Sequence, residues 1–224
     1  MEVYPQVGVS CEPEVIGVKN GVYQFTIDEK QFGDRKAYDN FLSRFRNEDT
    51  IADFLKGGHI TLKAKLLKKA KATDLMKFSP YIRGIQFAVS KKALNVLQQF
   101  NLGAHYTIGI KFDNSEVNNY FLLWLPFTEV DKVVFKDSIL YSGDKFNFPS
   151  NPLKYQPIQS LEEYNSNKFK VKFEKVVFNK SDIPFDIVML RGVGTFISEK
   201  LKKAIQENNL IGFVSPQDIK LDLM

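Results

Sequence analysis

Few side chains in this sequence are equipped for chemistry, and their spacing is uninformative. The chain has one cysteine, Cys11, and two histidines, His59 and His105. A thiol nucleophile needs a neighbouring base. Neither histidine can be placed beside Cys11 by spacing, so Cys11 reads as a free thiol in a reducing compartment. Three such residues are too few for a histidine- or cysteine-built metal centre, and no metal is expected. There is no G-x-S-x-G elbow, no Walker A sequence and no serine triad. Gly192-Val193-Gly194 stands between an expected strand and an expected helix, as a dinucleotide fingerprint would. Ile197 occupies the third glycine position, however, so the segment reads as a tight turn and no cofactor is expected. Asp182 and Asp186 flank a proline and read as solvated caps. Trp124 reads as core. No catalytic residue is nominated, and the chain is not expected to be an enzyme.

Charge offers two surfaces. Residues 113–131 hold Asp113, Glu116, Glu129 and Asp131 with no base. They are the candidate contact for a basic protein partner. Residues 63–71 and 168–175 are runs rich in lysine. Phosphate recognition leans on arginine forks, and only five of the 31 basic residues are arginine. The net charge of +5 therefore carries little weight as a nucleic-acid signal. In residues 168–173 lysine alternates with Phe169, Val171 and Phe173. A strand there would point its phenylalanines away from the lysines and leave no stacking platform beside them.

The elements that position these groups follow from periodicity. With 224 residues, 44% apolar and 25% charged, the chain is of ordinary globular composition. No apolar stretch is long enough to span a bilayer, and the first residues carry no secretory signal pattern, so a cytoplasmic protein is expected. Residues 1–33 read as short strands, with Val22–Ile27 among them. Residues 35–56 read as two helices on a Phe/Leu stripe, the second capped at Asp49-Thr50 and stopped at Gly57-Gly58. Residues 60–79 read as a lysine-coated amphipathic helix through Leu62, Leu66, Leu67 and Ala70. Ser90 caps a helix to Phe100. His105–Phe112, Tyr120–Leu125 and Val130–Phe135 read as strands of an antiparallel meander. Residues 141–168 read as a long loop with one helical turn at Leu161–Tyr164. Asp186–Leu190, a turn, a helix capped by Ser198, and Gly212-Phe213-Val214 close the chain. The expected class is α+β: an antiparallel sheet or meander with flanking amphipathic helices. The expected division is an N-terminal lobe over 1–60 and a domain over 61–224, packed as one unit.

Two helical segments repeat. VSKKALNVLQQFNL (89–102) aligns without gaps on ISEKLKKAIQENNL (197–210), at an offset of 108. Identities fall at Ser90/Ser198, Lys92/Lys200, Gln98/Gln206, Asn101/Asn209 and Leu102/Leu210. In order, AKATDLMKFSPYIRGIQFAVSKKALNVLQQF (70–100), NYFLLWL (119–125), VDKVVFKDSILY (130–141) and FISEKLKKAIQENNLIGFVSP (196–216) follow one pattern. An apolar-Ser helix is followed by tyrosine-rich strands, then an Asp-containing strand with a serine, then a second apolar-Ser helix and a Gly-Phe strand. Over roughly residues 60–216 this resembles the predicted immunity proteins of bacterial polymorphic-toxin systems, eleventh class. The resemblance implies a cytoplasmic, non-enzymatic protein that binds and neutralises a cognate toxin. It carries over no catalytic or binding residue. The alternative reading is a nucleic-acid-binding module that uses the lysine runs.

Overall fold

In the computed structural model, residues 2–19, 21–56, 60–114, 116–144, 150–216 and 219–224 are described. The expected helix stop at Gly57-Gly58, and His59, lie outside them.

In the first half of the chain, β1 (Glu2–Val9) is followed by the short α1 (Pro13–Ile16), β2 (Phe25–Ile27), α2 (Arg35–Ser43) and α3 (Glu48–Lys56). The N-cap of α3 is Asn47 rather than Asp49-Thr50. The Asn47 side chain accepts from the Thr50 N–H at 2.9 Å, and the Thr50 hydroxyl accepts from the Asn47 N–H at 3.3 Å. This reciprocal pair satisfies two donors of the first turn. Next come β3 (Thr61–Leu66), β4 (Leu75–Met76), β5 (Phe78–Ser79), β6 (Ile85–Ser90), α4 (Lys91–Leu97), β7 (Tyr106–Phe112) and β8 (Tyr120–Trp124). The amphipathic helix expected over 60–79 is absent. Leu62 and Ala64 are buried while Lys63 and Lys65 are exposed, which is the period of a strand. The buried Gln24 then ties down the segment after the strand: its amide donates to Lys71 O and to Thr73 Oγ1, both at 2.9 Å.

The second half runs β9 (Ile139–Ser142), β10 (Lys154–Gln156), α5 (Leu161–Asn167), β11 (Lys172–Phe178), β12 (Ile187–Leu190), β13 (Gly194–Ile197), α6 (Glu199–Glu207), β14 (Phe213–Val214) and β15 (Lys220–Leu223). The strand expected at Val130–Phe135 is replaced by two single 3-10 turns, Val130–Lys132 and Phe135–Asp137. Ser138 explains the break. Its hydroxyl donates to Val134 O at 2.9 Å and accepts the Val177 N–H at 3.0 Å, taking the place of a ladder bond. The expected loop over 141–168 contains β10 and all of α5; its residues 145–149 are not among those described.

The class is α+β. Contacts divide the chain into two units, each with its own sheet and core. The first unit comprises 1–8, 127–202 and 215–224; the second comprises 9–126 and 203–214. The boundary expected at residue 60 falls inside the second unit, where β2 pairs with β3 across it. The second unit's sheet has the order β4-β6-β8-β7-β3-β2-β5. Phe25, Phe45, Ile51, Ile108 and Leu122 lie in its core. The first unit's sheet has the order β10-β9-β11-β15-β1-β13-β12. Phe178, Phe196, Val176 and Leu221 lie in its core.

The two sheets are built to one plan over six strands. Each starts at an edge hairpin, β4-β6 in one and β12-β13 in the other. An antiparallel third strand follows, β8 or β1, and an antiparallel fourth, β7 or β15. The fifth strand is parallel to the fourth, β3 or β11, and the sixth is antiparallel, β2 or β9. Divergence begins at the seventh strand, which is parallel in one sheet and antiparallel in the other. The repeat visible in the helices is thus one part of a duplicated sheet.

Candidate functional site

Each of the repeated serines is tied into a hairpin. In the second unit, Ser90 stands at the end of β6 opposite Asp74. Its N–H donates to Asp74 O at 2.9 Å and its hydroxyl donates to Asp74 Oδ1 at 2.6 Å. The same hydroxyl caps α4 by accepting the Ala93 N–H at 3.0 Å. In the first unit, Ser198 does the same. Its N–H donates to Asp186 O at 2.9 Å, its hydroxyl donates to Asp186 Oδ1 at 2.7 Å, and it accepts the Leu201 N–H at 3.3 Å. Hairpin registers agree as well: Leu75 faces Val89, and Ile187 faces Ile197.

Asp186 is therefore not the solvated cap expected from the sequence. It is 2% exposed and also pairs with Lys200 at 3.0 Å. A buried carboxylate is stable only when paired and hydrogen-bonded, and Asp186 has both supports. Asp182, by contrast, accepts from the Asn179 amide in a single 3-10 turn. A tyrosine accompanies each Asp–Ser pair. Tyr120 is the strand partner of Ser90. Burial, aided by Asp74, pushes its hydroxyl up to about 12. The Tyr4 hydroxyl donates to Phe185 O at 3.0 Å. Burial, then Glu2 and Asp186, push it up to about 12.

The hairpin turns match too, at the offset of the helices. Arg83-Gly84 and Arg191-Gly192 occupy the two central positions, closed by Ile85 N–H to Ile82 O and Val193 N–H to Leu190 O, both 3.1 Å. Gly84 has φ +78° and Gly192 φ +73°, the left-handed conformation that favours glycine at this place. Trp124 is core, as expected, and its indole lies against Gly84.

The four acids expected at a partner contact fall in different units. Asp113 and Glu116 are exposed between β7 and β8 of the second unit. Glu129 and Asp131 are exposed around the Val130–Lys132 turn of the first. Within the second unit, Lys63 of β3 is the register partner of Lys111 of β7, and Lys65 projects on the same side as Lys63. All three are exposed. The second lysine run differs from expectation. Its strand starts only at Lys172, because Lys170 N–H closes a turn onto Asn167 O at 2.7 Å. Phe169 accordingly has no pleat to turn it inward. It is 94% exposed, with Lys168 Nζ 5.6 Å from its ring centre, so an aromatic does stand beside a lysine there.

Cys11 is exposed; Lys77 Nζ donates to its sulfur at 3.6 Å. His105 Nδ1 is 2.9 Å from Gly103 O, to which it donates. Among the described residues no group of three His, Cys, Asp or Glu is placed to hold a metal ion, and no helix is long and apolar enough to cross a membrane.

In the first unit a cavity of about 300 Å³ opens over β11 and the β12–β13 turn. Lys168, Lys172 and Arg191 line it together with Asp144, and Tyr141, Tyr164 and Phe173 supply its aromatic wall. Sequence reading singled out Lys168 and Lys172 within the 168–175 run but missed the cavity, because Arg191 and most of the aromatic wall come from other elements. Comparison with known families and with curated proteins returns no match to this chain.

Proposed function

We propose that this protein is a cytoplasmic, non-enzymatic immunity protein that binds and neutralises a cognate toxin. One observation carries the reading. The two serine-capped helices on which the resemblance rests are equivalent parts of a duplicated sheet, each locked to its hairpin by an Asp–Ser bond. Such a scaffold suits rigid presentation of a binding surface, and rigidity limits the ordering cost of association. Asp113 and Glu116 in one unit, and Glu129 and Asp131 in the other, are the proposed contacts for a basic toxin surface, where opposite charge raises the association rate. The test is growth of a host expressing the neighbouring reading frame with and without this protein. Relief of toxicity together with co-purification is the expected result. Toxicity that the protein leaves untouched overturns the reading. Charge reversal of either acidic pair should slow association with the toxin; an unchanged rate for both removes those contacts.

A second reading is favoured by the registered lysines. Lys63, Lys65 and Lys111 form a basic patch on one sheet and could face a nucleic-acid backbone. This reading requires retention on a nucleic-acid column and a steep loss of affinity with salt, since each phosphate contact releases counterions. Absence of retention at low salt eliminates it.

A further inference from the structure

We infer that the cavity of the first unit is a binding site for a small anionic aromatic ligand of the nucleoside-monophosphate class. Three cations line it against a single carboxylate, Asp144. Among the described residues, no ion pair engages Lys168, Lys172 or Arg191. An anion is the complement of that lining. Arg191 supplies a planar guanidinium fork, which matches two oxygens of a phosphate at once, and the lysines supply point charges. Arg191 sits in a turn whose next residue is Gly192. Nothing lies within 4 Å of where a Gly192 side chain would start, so an oxygen-bearing group can approach the backbone there.

The remainder of the wall calls for a flat apolar body on that anion. Tyr164 and Phe173 lie 5.4 Å apart, with ring planes at 33°. Tyr141, Val171, Val193 and Ile219 extend this apolar surface. The Tyr164 phenol, protonated at neutral pH like any tyrosine, adds a hydroxyl to this wall. Size limits the ligand. About 300 Å³ is at the lower end of ligand pockets, enough for one ring system with its phosphate and too little for a dinucleotide. The duplication adds a contrast. Arg83 holds the position of Arg191 in the other hairpin, but its neighbour Gly84 is packed against Trp124; only the first unit leaves its turn open.

The experiment is calorimetric titration of the purified full chain at low salt with adenosine 5′-monophosphate, adenosine and inorganic phosphate in parallel. It needs no toxin, so its result is separate from that of the growth test. Saturable binding of the monophosphate is expected, with adenosine and inorganic phosphate each clearly weaker. Arg191→Gln and Lys172→Gln should each weaken the monophosphate about tenfold, the effect of one charge-assisted contact. Lys36→Gln, at an exposed position of the other unit, should leave it unchanged. Arg191 and Lys172 are both exposed, so their variants should fold, and a thermal melt of each verifies it. Absence of saturation overturns the proposal. So does adenosine binding as tightly as its monophosphate, phosphate alone binding as tightly, or affinity that neither substitution moves.

Discussion

In one sheet Asp74 faces Ser90; in the other Asp186 faces Ser198. The serine bond, the helix cap, the arginine-glycine turn and the accompanying tyrosine are common to both. What differs is how the second carboxylate requirement is met. Asp74 is half-buried and uses Oδ2 to accept the Ile211 N–H at 2.9 Å. Asp186 is buried and pairs with Lys200. The lysine at the matching place in the other repeat, Lys92, reaches Asn209 O at 3.3 Å instead. A lysine kept at one position by the repeat thus does two jobs, and a backbone donor substitutes for it where the loop after α6 closes on Asp74. Identity between repeats therefore reports the shared hairpin and cap more faithfully than it reports the surrounding charge.

The matched turn glycines allow the largest test of this equivalence. Both need a left-handed backbone, and replacing such a glycine by alanine costs about 1 kcal/mol from that alone. At Gly192 the new methyl enters open space. At Gly84 it would overlap the Trp124 indole nitrogen, in a core where the ring has little room to yield. Gly84→Ala should therefore destabilise by about 3–5 kcal/mol and Gly192→Ala by about 1 kcal/mol. Urea unfolding followed by circular dichroism gives the difference. Trp124 is the chain's single tryptophan, so its fluorescence reads the second unit separately. Equal losses would mean that the tryptophan side of the hairpin is softer than its burial implies.

Removal of the two aspartates comes next in size. Asp186→Ala strands a fully buried serine hydroxyl and leaves Lys200 without its partner. The ion pair itself contributes little, because Lys200 is 67% exposed; the hydroxyl dominates. The expected cost is about 2–4 kcal/mol. Asp74→Ala should cost about 1–3 kcal/mol, since water can reach the half-buried site and replace part of what is lost. Ser90→Ala and Ser198→Ala, each deleting a cap and an Asp contact, should rank in the same order. A larger loss at Asp74 would assign the controlling role to the Ile211 contact rather than to burial.

Much of this device can be read in the amino-acid sequence, but not its partners. Ser90 and Ser198 announce themselves because a cap needs a small oxygen-bearing side chain directly before an amphipathic run. Arg83-Gly84 and Arg191-Gly192 carry the same signal at the same offset and extend the repeat by one hairpin, although a reading that starts at the helices passes over them. The aspartates hide because their spacing differs: 16 residues separate Asp74 from Ser90, and 12 separate Asp186 from Ser198. The longer hairpin accommodates β5. β3 is misread as a helix because Leu62, Leu66, Leu67 and Ala70 also satisfy a helical period; the strand assignment comes from pairing with β2 and β7, which is a long-range fact. The cavity is least legible. Lys168, Lys172 and Arg191 converge only once a loop, a strand and a turn are in place, and no local pattern encodes that.

The two tyrosines provide the finest comparison, because burial raises both to about 12 by the same means. A phenol in the unfolded chain releases its proton near pH 10. Below that, both states hold the proton and the contribution to stability is complete. Between pH 10 and 12 the unfolded chain binds fewer protons than the folded one, so stability falls as pH rises. Tyr4→Phe and Tyr120→Phe each delete one such proton, and each variant should lose less stability between pH 8 and pH 11 than the parent does. The substitutions separate at pH 8. Tyr4→Phe also forfeits the bond to Phe185 O, about 1 kcal/mol, and starts lower by that amount. Urea midpoints at the two pH values measure both effects. If the duplicated sites are electrostatically equivalent, the two variants flatten the alkaline fall alike; a flattening confined to Tyr4 would show that Glu2, which only that site faces, matters more than the burial common to both.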